Sequence, residues 1–157
     1  MENLSRRTKI VWLVLGIPVL LAVGAFAYWT ISPFFVNVQV SEGLKNEGTT
    51  TLRQGRFVGA DAIIHKAEGT AKLLRTGTNE VIVRFEDDFK ASNGPDLYVW
   101  LAKAGEVKNG YVDLGRLKGN IGSQNYVVPA DTDLAQYTTV LIWCKAFSVL
   151  FGTAKLE

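Results

Sequence analysis

The residue with the most distinctive chemistry in this chain is its single cysteine, Cys144, which lies near the end of the apolar run that begins at Val140. A thiolate is a nucleophile, a redox group and a metal or cofactor ligand, and the adjacent Lys145 would favour the deprotonated form. Because the chain has no second cysteine, redox work would need a mixed disulfide with a partner, a sulfenic acid or a ligated cofactor. Cys144 is therefore the predicted catalytic residue, either as a redox thiol or as a cofactor ligand.

Cys144 also has a purely structural interpretation. Successive side chains of a strand alternate between faces, so Cys144 shares one face with Ile142 and Val140, while Trp143 and Lys145 share the other. If the first face is the core, the thiol is a small buried hydrophobe, which is the commonest fate of a free cysteine. The residues leave both interpretations open.

His65 is the only histidine and the candidate second cofactor ligand, although a lone histidine after two isoleucines is more often structural. One cysteine and one histidine exclude an internal disulfide and a zinc site built from Cys/His clusters on a single chain, and no metal site is predicted. The carboxylates of Glu86, Asp87 and Asp88 could serve acid–base chemistry or calcium, but three acids at a strand end are usually a solvated loop. No Gly-x-Ser-x-Gly elbow supports a hydrolase, and the sequence does not decide whether the protein is an enzyme.

The charge of the chain is concentrated at its N-terminus. The net charge is +2, and Arg6, Arg7 and Lys9 against Glu2 supply all of it. Residues 42–157 carry 14 basic and 14 acidic side chains, so that part is neutral. A nucleic-acid-binding domain would normally concentrate positive charge in its folded part, and no nucleic-acid partner is predicted.

A membrane span is the strongest prediction from the N-terminal part. Residues 10–41 contain no charged side chain, and residues 10–31 are almost wholly apolar. A helix needs roughly 20 apolar residues to cross the hydrocarbon layer. Tyr28 and Trp29 fit an interfacial aromatic belt, and the basic residues before the span place the N-terminus inside. We expect a cytoplasmic N-terminus over 1–9, a transmembrane signal anchor over 10–31 that contacts membrane lipid, and an extracytoplasmic C-terminal domain.

This stretch has two other interpretations. Small residues at Ala25 and Ala27 fit a cleaved signal peptide, but the apolar stretch is longer than the usual core of such signals and continues past the cut. A buried core helix that is apolar on all sides would need a far larger protein around it. The sequence favours an uncleaved single-pass anchor.

After the span, residues 32–51 form a predicted linker, of which 42–51 is polar and contains two glycines and three threonines. The pattern then changes to short runs rich in β-branched and aromatic residues, separated by turn signals about every ten residues. Strands are predicted over 56–59, 62–66, 70–75, 80–86, 97–102, 125–128, 138–145 and 148–156, with a long ordered loop over 110–124. Four aromatic residues on these strands could line a pocket but are interpreted first as core and cross-strand packing residues: Tyr98, Trp100, Tyr126 and Trp143. The fold class is therefore all-β, an antiparallel β-sandwich or small barrel preceded by one N-terminal transmembrane helix.

Several blocks of the sequence, taken in order, resemble the DM-thirteen domain, a family described as an electron-transfer domain of membrane and cell-surface proteins. The resemblance covers most of residues 55–156, within a domain predicted over 52–157. It rests on Gly55-Arg56-Phe57, on His65 with Gly69-Thr70-Ala71, on Arg84-Phe85-Glu86-Asp87-Asp88-Phe89, on Asn93-Gly94-Pro95-Asp96-Leu97-Tyr98-Val99, on the block from Leu114 to Tyr126, and on Ile142-Trp143-Cys144-Lys145-Ala146-Phe147-Ser148-Val149 with Phe151-Gly152.

The resemblance implies a β-rich fold and a redox role centred on the family's characteristic cysteine, which is Cys144 here. It allows a bare thiol or a prosthetic group such as haem held at that cysteine. The chain has no Cys-x-x-Cys-His motif for covalent haem attachment, and its only methionine is Met1, which excludes axial methionine ligation. The expected partner is an extracytoplasmic redox protein, and a homodimer through a Cys144–Cys144 disulfide is the other form a reactive thiol would take.

The sequence is compatible with two functions. The first is a membrane-tethered extracytoplasmic domain with an electron-transfer role centred on Cys144. The second is a non-catalytic extracytoplasmic binding or structural module in which Cys144 is a buried core residue. Solvent access to the thiol separates them, because only an accessible thiolate reacts.

Overall fold

The computed structural model describes residues 12–32, 36–44, 48–104, 106 and 110–157. The chain divides into two compact units, Met1–Val36 and Asn37–Glu157. The predicted cytoplasmic segment over 1–9 lies outside the described residues.

The N-terminal unit contains a π-helical turn, Trp12–Gly16, followed by helix α1, Ile17–Ile31. Pro18 lies in the first turn of α1, where its missing N–H has no intrahelical partner to lose. The large apolar side chains of this unit are exposed all round the helix, with Leu20 at 74%. Within the described residues, no helix has both the length and the apolar character needed to cross a membrane. The span over 10–31 therefore stays a prediction.

In the described part of the C-terminal unit, the chain forms ten strands that pair antiparallel, which confirms the predicted all-β class. The strands are β1 Thr50–Gly59, β2 Ala67–Glu68, β3 Thr70–Arg75, β4 Val81–Phe85, β5 Lys90–Ala91, β6 Leu97–Lys103, β7 Tyr111–Arg116, β8 Gln124–Val127, β9 Tyr137–Cys144 and β10 Val149–Lys155. Eight of them form one sheet in the order β7-β6-β9-β10-β1-β3-β4-β8, while β2 and β5 form a separate pair. The large sheet curls into a nearly closed barrel.

Strand β1 makes the corner at which the sheet turns. Its first part pairs with β3 and its last three residues, from Phe57, pair with β10. Gly55 lies at the change of partner, where a Cβ would stand 2.0 Å from the Lys155 carbonyl oxygen. Only glycine lets the two backbones approach so closely.

The core lies on the inner face of this barrel and is strongly aromatic. Phe85 contacts Phe57 edge-on at 4.9 Å between ring centroids and contacts Phe89 at 4.5 Å and Tyr126 at 5.3 Å. Burial of each such ring contributes about 1.5–3 kcal/mol. In β9, Val140 and Ile142 point into this core with no exposed surface.

Two predicted elements differ in the structure. Residues 62–66 were expected to form a strand, but the carboxylate of Asp61 accepts the backbone N–H groups of Ile63 and Ile64 at 2.8 and 2.7 Å, which folds the chain into a loop. The expected long loop over 110–124 begins instead with strand β7, which pairs with β6 across a bulge. Its residues alternate between exposed and half-buried positions, as in an edge strand.

The predicted linker over 32–51 also contains a segment attached to the domain. Residues 37–44, called the strap below, bond to the loop before β8: Val40 N donates to the Ile121 carbonyl and Glu42 N to the Ser123 carbonyl, both at 2.9 Å. Thr50 and Thr51 already belong to β1. The composition of this segment predicts a linker. Its backbone hydrogen bonds to a distant loop do not depend on its side chains, so its own sequence does not predict them.

Candidate functional site

Cys144 is a core residue in this structure. It ends β9, pairs with Leu97 of β6 on one side and with Val149 of β10 on the other, and has no exposed surface. It lies in one hydrophobic cluster with Val140 and Ile142, so the predicted sharing of a face is confirmed. A thiol without solvent access is not a nucleophile in this conformation, because the reactive thiolate is stabilised by water or by neighbouring cations.

Lys145 does not supply a cation to that thiol. Its ammonium group lies on the outer face, 2.6 Å from the Asp113 carboxylate and 3.5 Å from the centroid of the Tyr98 ring. The hydrogen bond to Asp113 raises the pKa of Lys145. Alternation along the strand explains the separation, because adjacent side chains point to opposite faces.

His65 lies in the loop that Asp61 organises. Its Nδ1 is 2.5 Å from the second carboxylate oxygen of Asp61, and its ring meets Phe151 edge-on at 4.7 Å. The backbone N–H groups of Ile64, then Ile63, hold the pKa of Asp61 well below its usual range. A carboxylate on Nδ1 fixes the ring and leaves Nε2 as the nitrogen available to a ligand, an arrangement that ligating histidines share.

The two candidate ligands are not joined directly. Phe151 belongs to the hydrophobic cluster that contains Cys144, and its ring touches His65. No hydrogen bond between His65 and Cys144 occurs among the described residues. A haem held by Cys144 does not fit this arrangement, because the sulfur has no free surface at which a macrocycle could stand. Within the same described part of the chain, no three His, Cys, Asp or Glu side chains converge as metal ligands.

The acidic block after β4 is structural. Glu86 pairs with Lys72 at 2.8 Å and with Arg84 at 3.1 Å. Asp88 accepts both the backbone N–H and the hydroxyl of Thr70 at 2.8 Å. These carboxylates are engaged with cations and backbone donors, and the structure gives them no arrangement for acid–base catalysis.

The glycine-rich block before β8 is organised by one buried amide, that of Gln124. Its Oε1 accepts the Tyr126 hydroxyl at 2.6 Å and the N–H groups of Lys118 and Gly119 at 3.1 and 3.2 Å. Its Nε2 donates to the carbonyls of Gly119 and Gly122. Burial raises the pKa of the Tyr126 hydroxyl, which keeps it protonated as a donor. The loop is therefore rigid and presents its backbone to the strap.

The strap is also fixed by charge. The Glu42 carboxylate lies 2.8 Å from the Lys118 ammonium and accepts the Asn125 backbone N–H at 2.8 Å. The nearly buried Arg84 donates to the Glu42 carbonyl and to the Asn125 side chain, each at 2.9 Å. Two blocks that carried the sequence resemblance, around Arg84 and Gln124, thus hold the strap and the loop in place.

The family comparison agrees with these blocks. The family described as Electron transfer DM13 matches residues 57–156. The chain belongs to the DM13 family. Neither the curated proteins nor the solved structures contain a match to it.

The outer face of this DM13 domain carries a feature that the sequence did not reveal. Three aromatic rings stack diagonally across neighbouring strands: Tyr111 of β7 lies 3.8 Å from Trp100 of β6 at an interplanar angle of 9°, and Trp100 lies 5.0 Å from Trp143 of β9 at 21°. We call these three residues the aromatic ladder. Period-two alternation places Trp100 and Trp143 away from the core, but only the strand register, which the sequence does not give, brings their rings together.

The surroundings of the aromatic ladder are unusual in two respects. The indole Nε1–H of Trp100 is buried and has no hydrogen-bond partner. Beside the DM13 ladder, Tyr98 packs against the same cluster and lies under two cations, the Lys145 ammonium at 3.5 Å and the Arg116 guanidinium at 5.5 Å from its ring centroid. A buried donor without an acceptor is rare in native proteins and invites a functional explanation.

Proposed function

We propose that this protein is a membrane-tethered, extracytoplasmic electron-transfer domain. The observation that carries the proposal is the match of the family described as electron transfer DM13 to residues 57–156, which spans nearly all of the β domain. The fold supplies the rigid, well-packed scaffold that electron transfer favours, since a fixed environment needs little reorganisation when charge moves.

The tether is supported by the N-terminal sequence. Residues 10–41 lack charged side chains, and Arg6, Arg7 and Lys9 precede them, which is the charge bias of an inside N-terminus. In the helical part the apolar side chains point in all directions, as expected of a helix solvated by lipid rather than packed on one face.

The proposed role of Cys144 requires a local opening of the fold. The complete burial of this residue means that an oxidant or a partner thiol reaches it only after this end of β9 separates from its neighbours in β6 and β10. The same burial supports the second candidate, a binding or structural module in which Cys144 only fills the core. The roles of His65 as a ligand and of a Cys144-linked homodimer are retained as part of the first candidate.

Electron exchange of the full-length protein in detergent tests the function. The protein is mixed with one-electron carriers of graded potential, from ferrocyanide to hexachloroiridate(IV), and exchange is followed by stopped-flow absorbance. Exchange that is lost in Cys144→Ala supports a role centred on the cysteine, whereas exchange that survives assigns it to other groups. Absence of exchange with every carrier contradicts the electron-transfer function and leaves the structural module.

A visible spectrum of protein purified from haem-replete cells tests the cofactor. A Soret band that disappears in Cys144→Ala would support thiolate-ligated haem and would require the core around β9 to differ from the arrangement described above. A colourless protein excludes haem from the proposal. His65→Gln distinguishes a ligating histidine, because only a ligand would shift the band.

The tether and its orientation are tested with introduced cysteines. Thr78, exposed in the β3–β4 turn, is changed to Cys, and Ser5 is changed to Cys as the matched control on the other side of the predicted span. We expect Thr78→Cys to react with a membrane-impermeant maleimide on intact cells and Ser5→Cys to react only after lysis. The reverse pattern would contradict the orientation, and release of the protein by alkaline carbonate would contradict the tether.

A further inference from the structure

We propose that the aromatic ladder of Tyr111, Trp100 and Trp143 is the site at which this domain gives up an electron to a one-electron oxidant. The oxidant would be a high-potential transition-metal centre on a partner protein, which meets the ladder at the Tyr111 ring. The proposal rests on the electron-transfer function proposed above and names the groups that carry it without Cys144.

The stacking geometry supports transfer along the ladder. The rings of Tyr111 and Trp100 are nearly parallel at 3.8 Å, and Trp100 is in turn stacked at 5.0 Å on Trp143. Adjacent π systems at these separations overlap, so an electron vacancy created on one ring is shared with the next. Tyr111 is 39% exposed while both tryptophans are almost fully buried, which makes its ring the only accessible end among these three.

Loss of a proton determines which ring of the ladder keeps the electron vacancy. A tryptophan that loses an electron becomes a radical cation whose Nε1–H is acidic, but the Nε1–H of Trp100 is buried without an acceptor. The cation therefore keeps its proton and passes the vacancy on. Tyr111 is at the surface, where its phenol can release a proton to water.

The step is balanced as a one-electron oxidation coupled to one proton. The metal centre accepts one electron, the two tryptophans gain and lose none overall, and the O–H bond of Tyr111 breaks as its proton goes to water. The product is a neutral tyrosyl radical at Tyr111. A donor of one electron and one proton, such as a quinol or a thiol, restores the phenol.

The cations beside the ladder direct the vacancy away from Tyr98. The Lys145 ammonium and the Arg116 guanidinium both lie over its ring, and Arg116 Nε donates to the Tyr98 hydroxyl at 3.1 Å. Positive charge close to a ring disfavours loss of an electron from it. Tyr98 therefore packs against the same cluster without competing with Tyr111.

Photochemical oxidation of the full chain in detergent tests the ladder. All variants carry Trp12→Phe and Trp29→Phe, so that the ladder contributes the only indoles, and the probe is a photogenerated ruthenium(III) polypyridine complex. Transient absorption should show an indole radical cation that decays as a tyrosyl radical forms. Tyr111→Phe should remove the tyrosyl signal and prolong the indole cation, while Tyr137→Phe, a half-buried tyrosine outside the ladder, should leave both unchanged.

Trp100→Phe breaks the contact between the two ends. Because the oxidant meets the ladder at Tyr111, we expect this variant to form the tyrosyl radical without a preceding indole cation at Trp143, and near-ultraviolet circular dichroism with an unchanged urea midpoint would show that the fold is kept. If Trp100→Phe unfolds the domain, Tyr111→Phe against Tyr137→Phe still decides the question. Equal loss of signal in the two tyrosine variants, or no loss in Tyr111→Phe, overturns the proposal.

The carrier experiment distinguishes failure of the ladder from failure of the function. Electron exchange with hexachloroiridate(IV) that proceeds at the wild-type rate in Tyr111→Phe overturns the ladder and leaves the electron-transfer function standing. Exchange that is lost in Tyr111→Phe but kept in Tyr137→Phe supports the ladder. Formation of the tyrosyl radical under light, without exchange with any carrier, supports the ladder chemistry and contradicts the function.

Discussion

At the scale of single residues, the neighbours of Cys144 across the sheet determine whether its thiol can react. Leu97 and Val149 flank it in the register, and the thiol joins a hydrophobic cluster rather than a polar cleft. Because the sulfur has no exposed surface, the native thiol is expected to be inert. A redox role for Cys144 therefore depends on how often this end of β9 opens.

The first prediction concerns this thiol. In the native protein Cys144 should resist maleimide, and its labelling rate should rise with urea as the domain opens. Cys144→Ala should lower the free energy of unfolding by about 1–2 kcal/mol through lost packing. Cys144→Ser should cost more than Ala, because a buried hydroxyl without a partner adds about 1–3 kcal/mol. Urea unfolding measures both variants, and rapid stoichiometric labelling of the native protein would show that the thiol is accessible.

The second prediction concerns Asp61 and acid. Its folded pKa lies below the ordinary value of 3.8, so the carboxylate stabilises the loop fully above that pH and loses this contribution as the pH falls further. The amide protons of Ile63 and Ile64 should stay protected from exchange at neutral pH and become exposed only in strong acid. Hydrogen exchange followed by NMR measures this.

Variants at Asp61 separate charge from hydrogen bonding. Asp61→Ala should open the loop at every pH, whereas Asp61→Asn keeps one acceptor oxygen and should hold the loop with little pH dependence. Asp131→Ala, an exposed aspartate of another loop, is the matched control. Equal protection of Ile63 and Ile64 in Asp61→Ala and in the wild type would contradict the assigned role.

At the scale of elements, the loop before β8 and the strap depend on each other. Gly119 and Gly122 lie directly under the strap, where a Cβ would stand 2.5 Å from the Val38 carbonyl oxygen and 2.2 Å from that of Val40. Gly122 also has a φ of +92°, a conformation that favours glycine. The glycines of this loop therefore serve the close approach of the strap.

The third prediction uses a pair of glycines in this region. Gly115 has a φ of +106° but open space at its Cβ, so Gly115→Ala should cost only backbone strain, about 1–2 kcal/mol. Gly122→Ala adds the collision with the Val40 carbonyl and should cost a further 1–3 kcal/mol, approximately. Urea unfolding gives the comparison, and faster exchange of the Val40 and Glu42 amides in Gly122→Ala alone would locate the damage. Equal stability of the two variants would contradict the close approach.

At the scale of the whole molecule, the domain starts earlier in the chain than the family match does. The match begins at Phe57, yet the compact unit begins at Asn37 and includes the strap. The strap supplies the Glu42 carboxylate to Lys118 and the Glu42 carbonyl to the nearly buried Arg84. Its removal would leave a buried guanidinium with one acceptor fewer, which is costly.

The fourth prediction is therefore about chain length. A fragment of residues 37–157 should fold and unfold cooperatively, while a fragment of 48–157 should have a clearly lower urea midpoint. Glu42→Gln in the longer fragment is the control that removes only the charge, and its midpoint should lie between the two. The same midpoint for both fragments would show that the strap contributes nothing to stability.

Much of the strand pattern was readable from the sequence because those strands are short runs separated by turn signals. Strands β3, β4, β6 and β9 lie close to their predicted bounds, since each contains several buried apolar residues and is bounded by turn residues. The strand predicted around Ile63 and Ile64 was wrong. There the Asp61 carboxylate accepts the backbone N–H of Ile63, and the Ile63 side chain is 82% exposed. The sequence pattern also missed β7, because Asp113 and Gly115 interrupt its apolar residues within a glycine-rich stretch.

The amino-acid sequence by itself determined the all-β class, the family and the face on which Cys144 lies, because alternation and motif order are properties of neighbouring residues. Only the tertiary structure decided that this face is closed over the thiol, that the strap belongs to the domain, and that Trp100 stacks between Tyr111 and Trp143. Each of these depends on the register between strands distant in the chain, and register is set by packing of the whole barrel rather than by any local pattern.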